Sequence, residues 1–166
     1  MSNLLITSDL HLGHKNIHRH RPDLGFQTAQ SHHEFVFEKL LAAFKPRDTL
    51  LFLGDVAFSK EWLMEIKALK CNKKILVMGN HDTDFCTIAD IADTYDEVYS
   101  LYSRKGLWFS HAPIHPSELR GKCNVHGHTH SINIPDDRYF NACLENTNYS
   151  PIEFYELKKA LRLETS

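Results

Sequence analysis

The chain has 166 residues, 42% of them apolar and 24% charged, and its net charge is -2 with histidine neutral. This is the size and composition of one globular domain, and the near-neutral balance excludes a global basic field for gripping nucleic acid. No apolar run approaches membrane-spanning length, and Met1-Ser2-Asn3 is not followed by the charged and long apolar segments of a secretory signal, so no membrane partner is expected.

Taken in chain order, strand-like apolar runs recur at Leu4–Ser8, Thr49–Leu53, Lys74–Met78, Val98–Tyr102, Leu107–Ser110, Lys122–His126 and Tyr139–Leu144. Several are nearly all apolar, as strands covered on both faces are. Helical patterns alternate with the early runs. Thr28–Phe44 carries Phe35, Val36, Leu40, Leu41 and Phe44 on one face and ends before Pro46. Ser59–Lys70 opens on a capping serine and carries Trp62, Ile66 and Leu69. Asp84–Ile91 is a shorter candidate, and the region after Pro151 reads either as a last helix or as a closing strand over Ile152–Leu157. The alternation predicts an α/β fold, and the lack of repeats or linkers predicts a single domain over residues 1–166.

Four scattered cysteines, Cys71, Cys86, Cys123 and Cys143, form no C-x-x-C pair. They read as reduced, buried thiols in a cytoplasmic protein and not as a zinc knuckle or a redox motif. The unusual number is twelve histidines. Histidine is the commonest metal ligand, so their spacing matters.

Ligand-type residues follow the strand runs directly. Asp9-Leu10-His11 follows the first, Gly54-Asp55 the second, and Gly79-Asn80-His81-Asp82 the third. His111 follows Leu107–Ser110, and Gly127-His128-Thr129-His130 follows Lys122–His126. In open α/β sheets ligands gather outside the carboxyl ends of the strands, so five strands would deliver these groups to one edge. In extended chain, residues two apart share a side, which would let Asp9 converge with His11 and His128 with His130. Carboxylate, imidazole and amide oxygen without thiolate suit manganese, iron, cobalt or zinc. The set suffices for two divalent ions sharing one carboxylate, with Asp55 the candidate bridge; such a pair clamps attacking and leaving oxygens in phosphoryl transfer and lowers the pKa of a bridging water.

These five ordered blocks resemble the calcineurin-like metallophosphoesterase superfamily, whose pattern is D-x-H, G-D, G-N-H-D/E, a lone H and G-H-x-H. The opening Ser8-Asp9-Leu10-His11-Leu12-Gly13-His14-Lys15-Asn16 further resembles its small bacterial and phage branch. The resemblance implies two packed mixed β-sheets flanked by helices. It implies that Asp9, His11, Asp55 and His130 hold one ion, and that Asp55, Asn80, His111 and His128 hold the other. The expected ions are Mn2+, with Fe, Zn, Co, Ni and Mg as alternatives. It leaves His81 off the metals as the catalytic group facing the substrate. The chain departs from the protein phosphatases of that superfamily: Asp55 is followed by Val56-Ala57-Phe58-Ser59-Lys60, without the acidic residue and arginine found there. Asp82 or a backbone carbonyl is then left to orient His81, unless Asp82 caps the following helix.

Three residues after the first motif, His14, Asn16 and Arg21, are candidate substrate-binding groups in a loop that also carries Arg19. His126 is expected to face the core, and His18, His20, His32, His33 and His115 to lie on the surface. The leading function is hydrolysis of phosphate mono- or diesters of small, nucleotide-like substrates. A nuclease acting on DNA or RNA is the alternative, its basic track confined to Lys15–Arg21. A non-enzymatic scaffold of the same fold would be expected to have lost ligands that this chain keeps.

Overall fold

The computed structural model describes residues 2–163. Its first sheet is built from β1 (Leu4–Thr7), β2 (Thr49–Phe52), β3 (Lys73–Val77), β4 (Glu97–Tyr99) and β9 (Ile152–Glu153), in the order β4-β3-β2-β1-β9. All neighbours are parallel except β9, which runs against β1. The second sheet holds β5 (Tyr102–Arg104), β6 (Leu107–Ser110), β7 (Cys123–His126) and β8 (Tyr139–Asn141) in sequence order. Only its β5–β6 pair is antiparallel. Among the described residues, five α-helices complete the fold: α1 (Ile17–His20), α2 (Ala29–Ala43), α3 (Lys60–Ala68), α4 (Ile88–Thr94) and α5 (Phe154–Ala160).

The near-continuous apolar strands of the first sheet divide their side chains between two cores. Leu5, Leu50, Phe52 and Leu76 join Val36, Leu40, Leu63, Ile66 and Ile91 from α2, α3 and α4. Leu4, Ile6, Leu51, Ile75 and Val77 point the other way, onto Leu107, Phe109 and Val125 of the second sheet and Leu157 of α5. Two mixed sheets therefore pack face to face with helices outside. Burying each such side chain contributes roughly 1.5–3 kcal/mol. The pairing of Leu5 with Leu50 and Ile6 with Leu51 sets the register, and a one-residue slip would exchange the two cores.

Three expected elements change. The run Val98–Tyr102 is not one strand but the junction between the sheets. Lys105 and Gly106 take positive φ angles of 48° and 79° and turn β5 back onto β6, which pulls Tyr102 out of line with β4. The helix expected over Asp84–Ile91 begins later, because Thr87 and Asp90 form a reciprocal capping box. That T-x-x-D pattern was present in the sequence. The end of the chain is both of the alternatives in turn, β9 and then α5. Ser59 caps α3 as expected, accepting a hydrogen bond from Trp62 N.

Candidate metal centre

The carboxyl ends of β1, β2, β3, β6 and β7 meet at one edge, where backbone bonds join neighbouring strand-end loops within each sheet. Asp9 N donates to Gly54 O at 3.1 Å, His11 N to Asp55 O at 3.0 Å, and Gly127 N to His111 O at 2.8 Å. His111 Nδ1 donates to Leu53 O at 2.7 Å, crossing from the second sheet to the first. Gly54, at a φ of 91°, permits this approach: a Cβ there would lie 2.5 Å from Gly79 N.

The expected ligands converge, but not by extended chain. Asp9, His11, Asp55, His128 and His130 have φ of 57°, 53°, 52°, 69° and 50°. Each is left-handed, a conformation that costs a non-glycine residue roughly 1–3 kcal/mol and persists only where its surroundings over-determine it. Tight left-handed turns, not strand alternation, aim these side chains.

Two clusters result. Asp9, His11 and His130 offer ligand atoms within 4.8 Å of one another, and so do Asp9, Asp55 and His111. Asp9 belongs to both, and Asp55 Oδ2 of the second stands 3.9 Å from His11 Nε2 of the first and 3.5 Å from His111 Nε2. Asn80 Oδ1 and His128 Nδ1 stand 2.9 and 3.1 Å from His111 Nε2. The Asp9 carboxylate is aimed by its neighbours: Oδ2 accepts from Ser8 Oγ, His128 N and Cys143 Sγ, while Oδ1 is buried without a partner. Both ring nitrogens of buried His11 also lack a partner. Burial holds His11 below the usual histidine range, which favours the neutral, ligating ring.

The donor chemistry fits divalent cations. His111 gives its Nδ1 proton to Leu53, so a neutral ring turns a lone pair toward the oxygens of Asn80 and Asp55. Electron-rich atoms at that spacing need a positive charge among them. In the protein alone a proton serves: burial pushes the His111 pKa down, but Asp55 and Asp9 outweigh it and lift it to about 9. A metal ion would serve the same need.

A residue matching the sequence pattern of no family block supports this edge. Glu145, just after β8, accepts from His130 Nδ1 at 3.0 Å and from Arg21 Nε at 2.8 Å. Burial pushes its carboxyl up, but His130 and Arg21 outweigh that and bring it down to about 2. Arg21, expected among the substrate-binding residues, is instead turned inward and 3% exposed. Its guanidinium also donates to Asp9 O at 2.6 Å and meets His32 Nε2 at 3.0 Å. His32 and His33, expected on the surface, are buried, and burial lowers them to about 3 and 4. They precede Val36 and Leu40 on the apolar stripe of α2, a signal the sequence did carry. His126 faces the core as expected. His14 lies at the rim, 6.0 Å ring to ring from His11, and Asn16 is exposed. A cavity of about 580 Å³ opens on this flank, with His14, His20, Arg21 and Tyr149 in its wall. Replacing Glu145 with Ala should weaken metal affinity about 10- to 100-fold, the usual worth of a carboxylate that orients a ligating histidine. Chelator competition measures it, and Glu145→Gln, which keeps an acceptor, should recover part of the loss. Unchanged affinity in the alanine variant would remove Glu145 from this role.

His81 lies beside the clusters. Its backbone N donates to Asp55 Oδ1 at 3.0 Å, and its Nδ1 meets Asp84 Oδ2 at 2.7 Å. Asp84, not Asp82, therefore orients the ring and leaves Nε2 available. Asp82 neither touches the ring nor caps a helix. Its buried carboxylate accepts from Gly79 N, Val56 N and Asp55 N at 2.7, 3.0 and 3.2 Å, tying the second motif to the third. Phe58, which the sequence marked only as a departure, stacks on His11 with ring centres 4.8 Å apart.

A calcineurin-like phosphoesterase family model matches residues 2–159. The chain belongs to that family. Among solved structures, a protein of unknown function from Aquifex aeolicus is similar at 28% identity and a TM-score of 0.75, covering 96% of this chain and 99% of its own. No curated protein matches the chain.

Proposed function

We propose that the chain is a dinuclear-metal-dependent phosphoesterase that hydrolyses phosphate mono- or diesters of small, nucleotide-like alcohols. The observation that carries this reading is two adjoining clusters that share Asp9, with Asp55 Oδ2 within 4 Å of a histidine of each and with buried Asp9 Oδ1 and His11 nitrogens that have no hydrogen-bond partner. In this reading Asp9, His11, Asp55 and His130 hold one ion, and Asp55, Asn80, His111 and His128 hold the second. Mn2+ is the first assignment. Ions held there would lower the pKa of a water and offset charge on the attacking and leaving oxygens.

The chain's own groups complete the reaction. Asp55, assigned to both ions, balances their charge. His81, off the metals and held through Nδ1 by Asp84, has Nε2 free to pass a proton. As the water oxygen bonds to phosphorus, its proton passing to solvent, the leaving P–O bond breaks and the leaving oxygen takes a proton from His81 Nε2, which solvent then restores. We assign substrate contact to His14 at the rim and to exposed Asn16, whose N–H donates to His14 Nδ1 at 3.2 Å. Arg21 acts through Glu145 and Asp9 and not on substrate. With Arg21 inward, the basic run keeps Lys15 and Arg19 as its strong cations, which favours a small ester over polymeric nucleic acid. The cysteines are free and no described helix is long and apolar enough to cross a membrane; we assign the protein to a reducing, cytoplasmic setting.

Metal-free protein reloaded with Mn2+, Fe, Zn, Co, Ni or Mg tests the reading against a panel of nucleotides, alkyl and aryl phosphate mono- and diesters. Turnover that tracks the uptake of two ions per chain and disappears with chelator is expected. No turnover with any of the six metals would overturn the enzymatic reading, and a clean stoichiometry of one would overturn the dinuclear one. Turnover confined to polymeric nucleic acid, with binding that falls steeply as salt rises, would move the assignment to the nuclease.

A further inference from the structure

Phe85 is a large apolar side chain left 52% exposed beside the candidate catalytic group. Its ring packs on Phe58 with centres 5.4 Å apart. Phe58 in turn contacts His11 at 4.8 Å, His14 at 5.3 Å and His81 at 5.6 Å. One aromatic surface thus runs from the first metal cluster, under His81, and out to an open face at Phe85.

The backbone presents that face firmly. On one side, Asp84 is bonded to His81 through both its carboxylate and its N–H, the latter to His81 O at 3.1 Å. On the other, Cys86 is 4% exposed in the helix-side core, and Thr87 starts α4 with its capping box. Phe85 is held between two anchored residues with its ring directed out of the core. An exposed ring in that position costs solvation and adds little to packing, whereas a flat aromatic partner would cover it.

We propose that Phe85, backed by Phe58, is a stacking platform for a planar ring carried by the leaving group, in biological substrates a nucleobase. The proposal rests on the phosphoesterase reading above and on His81 as the group that protonates the leaving oxygen, because that role puts the leaving group on the Phe85 side. The cavity walled by His14, His20 and Tyr149 lies on the other flank, next to His11 and His130, and takes what remains bonded to phosphorus. Every nucleobase has a π face, so a bare phenylalanine selects nucleosides over plain alcohols without choosing among bases.

The test uses the full chain loaded with Mn2+ and reads binding as well as rate. Calorimetry compares AMP with ribose 5-phosphate, which differ by the base, and adds phenyl phosphate as a simple aryl ester. Wild-type protein should prefer AMP over ribose 5-phosphate, and Phe85→Ala should cut that preference by roughly 5- to 100-fold, the range seen when an aromatic under one base is removed. Phe85→Tyr should retain most of it, and circular dichroism and metal content should match wild type in both variants. An unchanged preference in Phe85→Ala, or no preference in the wild type, overturns the platform. A loss for phenyl phosphate as large as for AMP overturns the nucleobase assignment in favour of a simple aryl group. Because binding is read directly, a wild type that binds AMP through Phe85 but hydrolyses no ester would retire the phosphoesterase reading and with it the leaving-group role, leaving Phe85 as a nucleobase-binding surface alone.

Discussion

Asp55→Asn is expected to drop metal occupancy from about two ions per chain to one or fewer and to lower turnover by roughly 10³-fold or more at limiting metal. The substitution is nearly isosteric, so its effect reports charge and donor number. Asp55 Oδ1 accepts from His81 N, a bond an amide oxygen keeps. Oδ2 faces His11 and His111, where an amide nitrogen would turn hydrogens toward the position assigned to the cations. The control is thermal stability in chelator. Burial works against the Asp55 charge, but the hydrogen bond and charge of His111 outweigh it and hold its carboxyl below the usual range, so removing that charge should cost the metal-free protein some stability near neutral pH. The stabilisation that metal adds to the wild type should shrink, since a ligand raises stability only in proportion to its occupancy. Two ions retained together with wild-type turnover would show that Asp55 is not the bridge.

His81→Ala should separate chemistry from metal binding. The ring touches Asp84 and Phe58, and among the described contacts none links it to the two clusters. Metal content should therefore stay at the wild-type level while kcat falls by two to four orders of magnitude, the usual range for a general acid. The loss should be smaller for an activated aryl ester, whose leaving oxygen needs less protonation, than for an alkyl ester. Equal losses for the two would make His81 an electrostatic contact to phosphate and not an acid. Loss of metal along with rate would make it a ligand or a support, and its assignment as the acid would fall.

The difference between these two tests follows from where each residue's partners lie along the chain. Asp9, His11, Asp55, Asn80, His111, His128 and His130 could be singled out because each sits within a few residues of an apolar strand end, and parallel strands carry their ends to one edge. The same local regularity made the α/β class legible, and the five ordered blocks carried the family resemblance that implied the two packed sheets. Local regularity failed where the deciding contact is local but conformational. The left-handed turns at Asp9, His11, Asp55, His128 and His130 fall on aspartate and histidine, which take that conformation more readily than most residues yet usually do not, so side-chain type could not place them. The Lys105-Gly106 turn, by contrast, was legible in type but lay hidden behind an apolar run that spans two sheets.

The sequence by itself determined which residues reach the edge. Only the tertiary structure decided what holds them there. Arg21 and Glu145 are 124 positions apart, and Asp9 and Cys143 are 134 apart. Asp84 and Asp82, both short acids after the same motif, part because one meets the His81 ring while the other is drawn into a pocket of backbone N–H groups from β2's loop. Spacing and composition cannot separate such cases, because the free energy of a buried polar group depends on the partners that packing brings to it and not on its neighbours in the chain.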